Sequence, residues 1–164
     1  MIARFLLPAA LVAASAVPAL ADNGDFGAYL FRGTCDGFAP EQVVKDLGEL
    51  ELDDDELDDW ARVAPDGAPM PAPLRIEEEE TNRVSADAVT AGDMAIAVTA
   101  ADSPSAALLA CAALPAGTTL PAVIALDEVG ASGTEGRVAI EVIGRDVRFT
   151  TAAFNTGAVP ALVP

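Results

Sequence analysis

For chemistry this chain offers carboxylates, two cysteines and one lysine, and it has no histidine. The missing histidine removes the commonest general base near neutral pH, the Ser–His and Cys–His nucleophile pairs, and the most frequent ligand of zinc and copper. Cys35 and Cys111 could act as thiolates only while unpaired, and a bridge between them would end thiolate catalysis and thiolate metal binding together. Ser–Lys catalysis would have to use Lys45, which sits among Glu41, Asp46 and Glu49. Nearby negative charge favours the ammonium, the wrong form for a base. There is no Gly-rich phosphate loop and no dinucleotide fingerprint, so no cofactor is expected.

Carboxylates remain, concentrated in Asp53-Asp54-Asp55-Glu56-Leu57-Asp58-Asp59 and in Glu77-Glu78-Glu79-Glu80. A hard cation such as Ca²⁺ gathers roughly six to eight oxygens, which makes Asp53, Asp54, Asp55, Glu56, Asp58 and Asp59 its candidate ligands. The run lacks the spacing of a known calcium loop, and the plainer reading is a solvated acidic face. A paired-carboxylate hydrolase is a third alternative, although any acidic protein supplies such pairs. Trp60, the only tryptophan, adjoins the first run and could stack on a ligand; packing beside Leu57 is the more ordinary use of a large aromatic.

The charge balance narrows the partners. Lys and Arg number 9 against 26 Asp and Glu, a net charge of −17. Such a chain repels nucleic acid and anionic membrane surfaces. The partner is an unidentified protein or small molecule, or a divalent cation.

The first residues set the compartment. Arg4 gives a short positive start, Phe5–Val17 is an apolar run, and Ala19 and Ala21 place small residues where a signal peptidase needs them. The run is too short to span a bilayer, which takes about 20 helical residues. Residues 1–21 read as a cleaved signal peptide, leaving Asp22 at the mature N-terminus and the protein periplasmic or secreted. No second long apolar run follows, so no membrane anchor is expected after cleavage. In an oxidising compartment an even pair of cysteines reads as one disulfide. Closing a loop of roughly 75 residues would be worth ~4 kcal/mol.

The elements that must position these residues are short and β-prone, separated by Gly, Pro, Asp and Asn. Strands are expected near Phe26–Arg32, Val43–Leu52, Leu74–Glu79, Met94–Thr99, Leu108–Ala113, Leu120–Glu128, Gly136–Ile143 and Asp146–Ala152. The last two form a hairpin through Gly144-Arg145-Asp146. Asp53–Val63 has helical spacing, and Ser85–Val89 suits a single helical turn. Ala64–Pro73 carries four prolines in ten residues, each without an N–H donor. The fold class is all-β: an antiparallel β-sandwich or Greek-key barrel with one or two short helical turns and a long Pro-rich acidic loop. Residues 22–154 make one domain, 53–73 are a surface insertion, and 155–164 a loosely ordered tail.

Several short motifs carry a resemblance. Gly27-Ala28-Tyr29-Leu30-Phe31-Arg32-Gly33-Thr34-Cys35, Ile96-Ala97-Val98-Thr99, Ala110-Cys111-Ala112 and Ser132-Gly133-Thr134-Glu135-Gly136 stand in that order. The set resembles small exported β-sandwich proteins of the copper/zinc superoxide dismutase-like and CHRD-domain kind. The resemblance implies the sandwich and the Cys35–Cys111 bridge. The family's metal-binding histidines fall here on Phe26, Tyr29, Phe31 and Thr99, so it also implies a metal site that has been lost. The expected function is that of a non-enzymatic exported binding or structural module.

Overall fold

A computed structural model describes residues 26–52, 62–64 and 74–155. The strands are β1 Phe26–Arg32, β2 Val43–Leu52, β3 Leu74–Ser85, β4 Met94–Thr99, β5 Leu108–Leu114, β6 Ala122–Glu128, β7 Thr134–Ile143 and β8 Asp146–Asn155. They close a barrel in the ring order β1-β2-β3-β8-β7-β6-β5-β4, and every neighbouring pair is antiparallel. The first three strands are consecutive, and the fourth returns to lie beside the first. That order, β4-β1-β2-β3, is a Greek key.

Two joints in the ring are thin. β2 meets β3 only at Glu51↔Ile76 and Leu52↔Arg75, and β5 meets β6 only at Ala110↔Glu128 and Cys111↔Asp127. The other ladders are longer, reaching from Thr134↔Asn155 to Ile143↔Asp146 between β7 and β8. The ring therefore divides into two four-stranded halves, β2-β1-β4-β5 and β3-β8-β7-β6. Sandwich and barrel, the two expectations from the sequence, are here one object.

The expected all-β class, strand count and hairpin are present, and the differences lie at the ends of strands. β3 runs on to Ser85 and β8 to Asn155. The β3 extension is largely polar, and the β8 extension, Ala153-Phe154-Asn155, pairs with Leu74 and Arg75 of β3 and with Thr134 to Gly136 of β7, so ladder pairing carries both strands past the expected ends. The β7–β8 turn is tighter than expected, because Ile143 pairs with Asp146 and leaves only Gly144-Arg145 between them. Gly144 sits at φ 69°, a conformation that costs glycine little.

The crossover from β3 to β4 seals part of the interior. Its short helix α1, Ala86–Thr90, starts at Ser85, whose side chain accepts from Ala88 N at 3.2 Å. Val89 on this helix is fully buried in the main core. That core is shared among strands all round the ring: Leu30, Leu50, Ile96, Leu114, Leu126, Ile140 and Phe149 are all buried. The Asp53–Val63 helix, the Pro-rich loop, the signal peptide and the tail after Asn155 lie outside the described residues, apart from Arg62–Ala64. Val63 is fully buried, so the insertion packs down at that point. No helix among the described residues is long and apolar enough to cross a membrane.

Candidate functional site

Three of the four positions that the sequence matched to metal ligands, Tyr29, Phe31 and Thr99, share the outer face of β1 and β4. Side chains alternate along a strand, so Phe26, Ala28 and Leu30 point into the barrel and join its core. Tyr29 and Phe31 point outward. Thr99 stands opposite Gly27 in the β1–β4 ladder and shares the outer face with them. Of the four positions matched to metal ligands, three lie on one side of the sheet and Phe26 lies on the other.

Exposed outer faces of barrels are usually polar, but this one is buried. Tyr29 is 2 % exposed, Phe31 and Thr99 are 0 %. Two loops cover it. The segment after β1 brings Cys35 over β5, where it is bonded to Cys111 with a Cα–Cα distance of 5.8 Å. Phe38 from the same segment meets Phe31 edge to face at 4.9 Å between centroids. Phe31, Ala95, Ala97 and Cys111 thus form a second apolar cluster, with Cys35, Phe38, Val43, Leu108 and Val129 packed around it. The disulfide expected from the cysteine count is formed, and no cysteine among the described residues is free.

The second cover is the β4–β5 connection. Tyr29 Oη donates to Asp102 Oδ1 at 3.1 Å, across 73 residues of sequence. Burial pushes the Tyr29 phenol well above its ordinary value, and the bond to Asp102 and the negative charges of Asp102, Asp46 and Glu49 push the same way. The phenol keeps its proton far into alkali. It is a hydrogen-bond donor, not a phenolate ligand or a general base. Thr99 Oγ1 lies 2.8 Å from Ala101 O and 3.3 Å from Gly27 O, so its one hydrogen is spent on backbone carbonyls. Gly27 leaves the space that the Tyr29 ring fills. A Cβ there would stand 2.7 Å from Tyr29 Cε2 and Oη and 3.0 Å from Ala101 O.

These positions do not fit a copper or zinc ion. They supply two phenyl rings, a protonated phenol and a hydroxyl committed to carbonyls, and one ring lies on the wrong face. Softer transition metals need imidazole or thiolate, and both sulfurs are in the disulfide. No group of three or more His, Cys, Asp or Glu among the described residues is placed to hold a metal. Asp53, Asp54, Asp55, Glu56, Asp58, Asp59 and Trp60 lie outside those residues. Glu77, Glu78 and Glu79 lie in β3, opposite Thr151, Thr150 and Phe149 of β8. Lys45 lies in β2 opposite Leu30, in a ladder with β1 that contains no serine.

Two features had no sequence signal. Asp102 sits in a Ser-Pro-rich turn, and nothing local ties it to Tyr29. The second is an open groove of about 240 Å³ on β6 and β7, lined by Arg62, Pro121, Ala122, Val123, Ala139, Ile140 and Glu141. It is mostly apolar, with one guanidinium and one carboxylate, and Val123 in it is 53 % exposed.

No family model, curated protein or solved structure matches this chain.

Proposed function

We propose that this protein is a non-catalytic module of an exported compartment, periplasmic or extracellular, that binds or supports a partner through its surface. The observation that carries the reading is the state of the reactive groups. The chain has no histidine, both cysteines are bridged, and the only tyrosine holds its proton against Asp102. Imidazole is absent, and the two sulfurs and the phenol are committed to holding loops. The disulfide is compatible with an oxidising compartment. The signal-like start and the −17 charge support export of a chain that avoids nucleic acid.

The test is to export the protein from its full-length precursor, purify it without chelator, and measure intact mass and elemental content together. The expected result is a chain beginning at Asp22, two mass units lighter than the dithiol form, with no stoichiometric transition metal. One equivalent of copper or zinc would overturn the reading. Stoichiometric calcium would replace it with a cation binder using the acidic runs at Asp53–Asp59 and Glu77–Glu80.

A further inference from the structure

The segment Thr34–Gln42 covers Phe31 while making almost no use of the barrel beneath it. Its short helical turns, Cys35–Gly37 and Pro40–Gln42, bury no residue fully. Its hydrogen bonds close within the segment: Gly37 N donates to Thr34 O at 2.9 Å and Gln42 N to Ala39 O at 2.9 Å. Thr34 makes no side-chain cap. Among the described residues it is attached to the barrel through the Cys35–Cys111 bond and through Cys35 and Phe38 packed on the second apolar cluster. The segment is bounded by Gly33, at φ 109° and with its N–H bonded to Asp93 O at 3.0 Å, and by the start of β2 at Val43. A glycine at positive φ can absorb a backbone rotation that other residues resist.

The sheet below does not depend on this cover for its pairing. β1 joins β4 from Gly27↔Thr99 to Arg32↔Met94, and β4 joins β5 from Met94↔Leu114 to Thr99↔Leu108. We propose that Thr34–Gln42 is a redox-released flap: reduction of Cys35–Cys111 lets it swing on Gly33 and uncovers Phe31, Ala95 and Ala97, while the barrel stays closed. The disulfide is then a local strap, and the apolar outer face of β1 and β4 exists as a surface only in the reduced protein. The reductant is a dithiol of the thiol–disulfide oxidoreductase kind. Its thiolate attacks Cys35 Sγ, on the less buried of the two residues; the S–S bond breaks, and Cys111 leaves as a thiolate that takes up a proton. The donor's second thiol then displaces Cys35 as a thiol. The donor departs as a disulfide, having given two electrons and two protons.

The experiment is nuclear magnetic resonance on the mature protein, oxidised and then reduced with excess dithiothreitol, with the Cys35→Ser/Cys111→Ser double variant as a reductant-free counterpart. On reduction, backbone order parameters across residues 35–41 should fall from near 0.85 to below about 0.6. The Phe31–Phe38 ring contact should vanish, and a dye that binds exposed apolar surface should brighten. Cross-strand contacts of the β1–β4 and β4–β5 ladders should persist, while their slowest amides lose up to ~10³-fold of exchange protection as the loop-closure contribution is removed. If the flap stays ordered with its ring contact intact, packing holds it and the proposal fails. If the ladders lose their cross-strand contacts together with the flap, or the double variant does not fold, the bond is a staple for the whole barrel and the proposal also fails.

Discussion

The two faces of β1 bury comparable residues by different means. Inside, Leu30 belongs to a core assembled from strands all round the barrel and sealed in part by Val89 of α1. Outside, Tyr29 and Phe31 are buried almost as fully as Leu30, yet they are covered by two loops pinned at a few points. Inner burial is cooperative, because removing one strand opens the whole ring. Outer burial rests on loop contacts and a disulfide, with no strand pairing of its own. Equal burial therefore does not mean equal mechanical security, and the residues available for switching are the outer ones.

The comparison can be sharpened from the largest expected effect to the smallest. Leu30→Ala, in the closed core, should lower unfolding free energy by about 3 kcal/mol in chemical denaturation. A cost below about 1 kcal/mol would show the core collapsing around the void. Gly27→Ala adds a methyl where the Tyr29 ring lies and should cost about 2 kcal/mol through forced displacement. The diagnostic is loss of the Tyr29–Asp102 contact with the inner core unchanged, read from side-chain chemical shifts.

Tyr29→Phe removes only the phenol's bond to Asp102 and should cost about 1 kcal/mol at neutral pH. Its pH signature is more telling. The folded phenol titrates above the unfolded value of about 10, so the folded state holds the proton more tightly. The contribution is complete below pH of about 10 and is lost as pH climbs from there through the folded value. Wild type should therefore lose stability in that alkaline window more steeply than Tyr29→Phe. Tyr29 is the only tyrosine, so phenolate absorbance reports on it alone, and ionisation near the unfolded value would remove the Asp102 latch from the account. Smallest of all, Val123→Ser on the half-exposed groove wall should change stability by no more than about 0.5 kcal/mol. A larger loss would mean that the groove face is covered in solution.

Much of this was legible before folding. The all-β class, the starts of β1, β2 and β4, the hairpin of β7 with β8, and the bridge of Cys35 with Cys111 follow from local signals: apolar runs, glycine punctuation and an even cysteine pair. Local signals act through a few neighbouring residues, which is why they survive in a linear reading. They also stop β3 and β8 short, where pairing across the ring extends the strands beyond their local signals. The four positions matched to metal ligands are all buried. Only the alternation of a real strand separates Phe26, facing in, from Tyr29, Phe31 and Thr99, facing out.

By itself the sequence determined which reactions are closed to this protein, since a missing imidazole cannot be restored by any fold. It also determined that two sulfurs would meet if the chain were oxidised. Tertiary structure alone decided where that bond lies and what it does. The ring of strands places Cys111 on an outer face beneath Cys35, from a sequence separation of 76 residues. It likewise brings Asp102 to Tyr29 and opens a groove beside Arg62. Such contacts join residues far apart in the chain, and their energies exist only once the barrel has closed.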